Sequence, residues 1–128
     1  MATTPPQTGP TNVGMAPNIA GLLCYIPCCV GLVFSIVVAI VEKRSNFVRF
    51  HAFQSLLLHA AFIALGFGLG IVQVAVGMVL GPLALLVTLV QFLLGLVFVI
   101  LTVFMMVKAH AGEELLLPTI GDLAKGWL

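Results

Sequence analysis

The stretch FHAFQSLLLHAAFIALGFGLGIVQVAVGMVLGPLALLVTLVQFLLGLVFVILTVFMMV, residues 50–107, decides the fold. It contains no Asp, Glu, Lys or Arg. At ~1.5 Å per residue, one helix of that length would far overshoot a hydrocarbon core of ~30 Å. The run therefore has to break. Gly81-Pro82 is the natural place, because proline disfavours helix in the residue before it and has no N–H to give. Two spans follow, over residues 52–80 and 83–107. Each exceeds the ~20 residues a crossing needs, so tilt is expected.

Working outward, residues 19–41 form a further apolar run of spanning length. Asn18 can cap it, and Pro27 predicts a kink within it. The loop EKRSN, residues 42–46, ends it. Residues 1–17 are rich in Thr, Pro and Gly without apolar period, which predicts a disordered tail. In the tail over residues 109–128, Leu116, Ile120, Leu123 and Trp127 share one helical face, and Pro118 can open that helix. The expected architecture is an all-α integral membrane protein. A three-helix transmembrane bundle over residues 18–108 follows a disordered N-terminal tail and precedes a short C-terminal interfacial segment.

Composition agrees. Hydrophobic residues make up 62% of the chain and charged residues 7%, against about 25% charged in soluble domains. So few charges cannot dress a water-facing surface, which leaves the lipid bilayer as the chief partner. A net charge of +1 argues against nucleic acid, which calls for clustered Lys and Arg. No Lys or Arg precedes the first apolar run, so no cleavable signal is expected. In the three-span reading all five basic residues fall on one side: Lys43, Arg44 and Arg49 in the loop, Lys108 and Lys125 after the last span. The positive-inside rule then predicts the N-terminus outside and the C-terminus in the cytoplasm, and with no signal or transit-peptide pattern a prokaryotic plasma membrane is the expected home.

Helix-wheel projection gives each span a small or polar face. Gly21, Cys24, Cys28, Gly31, Ser35 and Ala39 share an arc in the first. His51, Ser55, His59, Gly66, Gly70, Gln73 and Gly77 share one in the second. Ala84, Thr88, Gln91, Gly95 and Thr102 share one in the third. Membrane helices associate through close approach at small residues and hydrogen bonds between helices. Gly31, Gly66, Gly70 and Gly95 are thus the expected packing positions. His59, Gln73, Thr88 and Gln91 are the expected interhelical polar residues, or the lining of a polar conduit. Cys24, Cys28 and Cys29 lie too close along one helix to bridge, and Cys24 and Cys28 read as small packing groups.

The densest polar signal is FVRFHAFQS, residues 47–55. Arg49, His51, Gln54 and Ser55 stand there at one mouth of the bundle. Asp122 follows in the tail on the same side, placed to pair with Arg49 or His51. No metal site is expected, since the two histidines lack Cys or carboxylate neighbours at ligand spacing. No catalytic set assembles either, because no Asp or Glu orients His51 or His59 beside Ser55. No cofactor is implied. FVRFHAFQS, together with LPTIGDLA at residues 117–124, Lys108-Ala109 and Gly112-Glu113, resembles small prokaryotic membrane proteins grouped with the Tic-twenty-like proteins. That family is named for a chloroplast inner-envelope import component. The resemblance implies a membrane fold and a link to protein translocation or membrane assembly. The expected function is a non-enzymatic structural or interaction subunit that docks with other membrane proteins or with itself. The alternative is a homo-oligomeric channel or carrier for a small solute.

Overall fold

The computed structural model describes residues 11–128, and every regular element in them is helical. The expected disordered tail falls outside the described residues as far as residue 10.

Two long helices build the frame: α3 over Asn46–Leu80 and α4 over Ala84–His110. (Helices α1, Pro17–Cys24, and α2, Cys29–Val41, precede them.) Ser45 caps α3 by accepting the Val48 N–H at 3.3 Å, which satisfies one otherwise orphaned donor. At the far end Gly81 takes φ +41°, a conformation that favours glycine, and a single 3-10 turn over Gly81–Leu83 reverses the chain. The return is antiparallel. Gln73 Nε2 donates to Thr88 Oγ1 at 2.8 Å across fifteen residues, a distance a straight helix would stretch to ~22 Å. Phe98 lies against both His59 and Phe62, with ring centroids 5.2 and 4.8 Å away. Among the described residues, the helical run Asn46–His110 is the one long and apolar enough to cross a membrane.

The apolar run over residues 19–41 is not one kinked helix. It forms α1, Pro17–Cys24, and α2, Cys29–Val41, folded back on each other. Pro27 has no N–H to continue α1, and Cys28 at φ +79° turns the chain. Ser35 Oγ donates to the Cys24 carbonyl at 3.0 Å, eleven residues away in sequence; a continuous helix would hold them ~16 Å apart. At the other end Asn12 N–H donates to Glu42 Oε2 at 2.7 Å, and Lys43 N–H donates to Asn12 Oδ1 at 3.1 Å. The chain thus enters and leaves this short hairpin at one end of the molecule. Gly31 permits the reversal, since a Cβ there would sit 2.0 Å from the Ile26 carbonyl oxygen.

This corrects the expected bundle of three full-length helices. It also brings residues 11–16 to the same end as the basic loop, the start of α3 and the C-terminal tail, where the three-span reading set them at opposite ends. The core gathers at that end, from Ala20, Cys24 and Tyr25, Phe47, Phe50 and Leu58, and Met105 and Ala109. Beyond the level of His59, among the described residues, no third helix accompanies α3 and α4, and their surface is apolar apart from Gln73, Thr88 and Gln91, with Met78 83% and Phe67 73% exposed. Gly66, Gly70 and Gly95, expected to pack helices, therefore meet nothing within 4 Å of where a Cβ would stand.

Past α4, Gly112 at φ +78° turns the chain back. A short helix α5, Ile120–Gly126, then packs on the first turns of α3.

Two substitutions test the reversal. Gly31→Ala should lower stability by about 1–3 kcal/mol through overpacking, read as a lower thermal midpoint in detergent. Cys28→Gly should raise stability by about 1 kcal/mol, since its backbone occupies a region that disfavours side chains. A neutral Gly31→Ala together with a destabilising Cys28→Gly would contradict the reversed geometry.

Candidate functional site

The site grows from the broken end of α1. A helical carbonyl at Cys24 would accept from the residue-28 N–H, but the chain has turned away by then. Its oxygen instead takes two hydroxyls, from Ser35 at 3.0 Å and Ser55 at 2.5 Å. One backbone acceptor so ties α1 to α2 and to α3.

The next residue, Tyr25, is fully buried. Gln54 Nε2, which can only donate, gives a hydrogen bond to the Tyr25 hydroxyl at 3.0 Å. That leaves the phenol proton for His51 Nδ1 at 3.1 Å. This network assigns the His51 ring proton to Nε2, which turns toward the Glu113 backbone without reaching full hydrogen-bond geometry. Phe47, Phe50 and Tyr25 all meet the His51 ring edge-on, at 4.5 to 5.6 Å between centroids.

Gln54 is the hub. Its second amide N–H donates to the Leu115 carbonyl at 2.9 Å, and its Oε1 accepts the Leu117 N–H at 3.2 Å. A single amide thus joins α1, α3 and the extended tail segment, with both N–H groups and the oxygen used. Gly121 lets the tail lie this close, for a Cβ there would stand 2.8 Å from Gln54 Oε1.

The tail folds back on α3 as its residues suggested, but Asp122 is exposed and, among the described residues, makes no ion pair or side-chain hydrogen bond. Arg49 donates through Nη2 to the Trp127 carbonyl at 3.5 Å and lies over the Phe53 ring at 5.7 Å. The ion pairs run instead from Lys108 to Glu113 at 2.7 Å and from Lys125 to Glu114 at 3.8 Å. Gln54 and its backbone partners hold the tail where a charge pair was expected.

Glu42 escaped the sequence reading. It is fully buried at the end of α2, accepting N–H groups from Asn12, Arg44 and Ser45 at 2.7 to 3.0 Å. Burial pushes its carboxyl up, but the backbone donors of Ser45, Arg44, Asn12 and Val13 outweigh this and hold it below the ordinary glutamate range. An acidic residue at a helix C-terminus opposes the helix dipole, and that misfit was the available signal.

The deeper polar residues separate. Gln73 and Thr88 bond each other. His59 donates through Nδ1 to the Ser55 carbonyl at 2.8 Å, and with Gln91 it lines a cavity of about 350 Å³ beneath the tip of the α1–α2 hairpin. Ser55 commits its own proton to Cys24. Among the described residues, no three His, Cys, Asp or Glu side chains converge to hold a metal ion.

A sequence model of the magnetosome magnetite crystal formation protein family matches residues 10–124, and the chain belongs to that family. The UPF0132 membrane protein MJ1443 of Methanocaldococcus jannaschii is 38% identical over 117 residues, covering 91% of this chain and 93% of that protein. A UPF0132 membrane protein of Archaeoglobus fulgidus is 33% identical over 111 residues, covering 87% and 94%. A third, MJ1527 of Methanocaldococcus jannaschii, is 27% identical over 114 residues, covering 88% and 71%. No solved structure matches the chain. These findings replace the Tic-twenty-like kinship: the FVRFHAFQS and LPTIGDLA blocks lie inside the region matched by the magnetosome family.

Gln54→Leu leaves the Tyr25 hydroxyl, the Leu115 carbonyl and the Leu117 N–H without their partner. It should cost about 2–4 kcal/mol and expose residues 111–119 to protease and hydrogen exchange. Unchanged protection of the Leu117 amide would contradict the hub. For Glu42 the folded carboxyl titrates below its unfolded value. Its contribution is therefore complete above about pH 4.3 and lost as pH falls through the lower folded value. Glu42→Gln should flatten that acid limb of a stability–pH curve.

Proposed function

We propose that this member of the family is a non-enzymatic structural subunit of a prokaryotic plasma membrane. It crosses the bilayer twice, as the α3–α4 hairpin, with α1–α2 re-entering from the cytoplasmic face. Support comes from one end of the molecule, which carries Lys43, Arg44, Arg49, Lys108 and Lys125 together with residues 11–16 and the C-terminal tail. By the positive-inside rule that end faces the cytoplasm. The N-terminal segment then lies inside, and the orientation expected from three spans is withdrawn.

The observation that carries the interaction role is the distal half of α3 and α4. Among the described residues it has no third helix, and Gly66, Gly70 and Gly95 stand open on it. Small residues on an apolar helix surface are where membrane helices meet closely. The occupants are other membrane proteins or further copies of this chain. A conduit receives less support, since Gln73 and Thr88 satisfy each other and His59 bonds its own helix. The family is described by magnetite crystal formation, and we assign this chain a membrane-organising part in such work over direct contact with mineral. Its Glu42 is occupied by backbone amides and Glu113 and Glu114 by lysines, which leaves Asp122 as the free carboxylate.

Single cysteines in a background lacking the native three decide the topology. At Asn12, Arg44 and Asp122 they should react with an impermeant maleimide only after the cytoplasmic face is opened. At Gly81 the reagent should react from outside. Labelling of Asn12→Cys from outside would restore three spans. Crosslinking in native membranes should recover a stoichiometric membrane partner or a homo-oligomer, lost in Gly70→Ile. Recovery of monomer alone would remove the interaction role.

A further inference from the structure

The α1–α2 hairpin stops partway along α3, and a cavity opens beneath its tip. Cys28, Cys29 and Leu32 roof it, α3 contributes His59, Phe62 and Gly66, and α4 contributes Gln91, Gly95 and Phe98. Its volume of about 350 Å³ lies within the ~300–1,000 Å³ of small-molecule pockets. No Lys, Arg, Asp or Glu lines it, so nothing there offsets the charge of an ionic ligand.

Two polar groups in the wall lack partners. The Gln91 side chain is half-buried and makes no hydrogen bond to the described residues. His59 is 4% exposed. Ser55 Oγ has given its proton to Cys24 and the Ser55 carbonyl can only accept, so both fix the His59 proton on Nδ1, at 3.2 and 2.8 Å. In the neutral ring Nε2, on the side away from Ser55, is then a bare acceptor, and it has no partner. Phe98 meets this ring edge-on at 5.2 Å.

We propose that the cavity binds an uncharged lipid bearing a free hydroxyl, a long-chain alcohol in chemical class, admitted from the bilayer beneath the hairpin tip. The hydroxyl is the group that meets both demands: its proton goes to His59 Nε2, and its oxygen accepts from the Gln91 amide N–H. An ether or ester of the same length can use Gln91 but leaves His59 unpaired. This inference rests on the membrane-spanning reading of α3 and α4.

The test uses the full chain in phosphatidylcholine liposomes with a diazirine-bearing hexadecanol, and sites of photolabelling mapped by mass spectrometry. Saturable labelling is expected within residues 28–32, 59–69 and 91–98. Unlabelled hexadecanol should compete at least about tenfold better than its methyl ether. His59→Phe should erase that preference. Gly95→Leu, which fills the open space at Gly95 and leaves His59 and Gln91 in place, should remove the saturable label. Equal competition by alcohol and ether, or labelling spread over the outer faces and indifferent to Gly95→Leu, overturns the proposal. Should His59→Phe fail to fold, the alcohol–ether comparison and Gly95→Leu still decide. Labelling of the outer faces alone leaves the spanning reading intact, whereas a chain that takes no label anywhere refutes that reading too.

Discussion

A backbone carbonyl without a helical partner organises this molecule. Pro27 and the positive φ of Cys28 stop α1 one turn early and leave the Cys24 oxygen exposed to an apolar interior. An unsatisfied backbone group in such surroundings costs several kcal/mol. Ser35 and Ser55 answer it from two different helices. Their spacing along α2 and α3 therefore fixes how deep the hairpin reaches and which face of α3 it covers. The adjoining residues inherit that registration: Tyr25 falls opposite His51 and Gln54, and Gln54 in turn aligns the tail.

The polar groups at this end act as connectors between backbone segments that have no regular hydrogen-bond partners of their own. Tyr25, Gln54, Ser55 and Glu42 each bond groups distant in sequence. Charge plays the smaller part. Both ion pairs lie near the surface, one between α4 and the tail and one within the tail, where such pairs contribute ~0–1 kcal/mol. The burial of Gln54 and the exposure of Asp122 follow from this. An amide serves a backbone segment that offers one donor and one acceptor, and a carboxylate serves only donors.

The sequence made the long hairpin legible. Gly81-Pro82 marked its turn, and the basic residues marked one end. FVRFHAFQS was readable as the polar centre, although Gln54, one of several candidates there, turned out to be its hub. The reversal between α1 and α2 was not legible, because twenty-three apolar residues satisfy a length test whether they cross or turn back. Pro27 signalled a break but not its angle, which depends on Cys28 adopting a backbone conformation its side chain disfavours and on contacts with α3. The one-sided basic residues were counted in support of three spans, yet they fit two spans equally well, since either scheme keeps the loop and the tail together. Glu42 stayed hidden because its partners are backbone amides, which leave no mark in composition. The glycines of the distal half imply an interior that exists only where the short hairpin reaches.

The depth of that short hairpin gives the molecule a taper. Among the described residues, sections through the end that holds the core cut α1, α2, α3 and α4, whereas sections near Gly81 cut α3 and α4 alone. Bodies of this shape tile a flat layer poorly. Set side by side along their narrow halves, they close into an arc with the broad ends on its convex side, and the curvature of that arc would be set by how far the short hairpin reaches along α3.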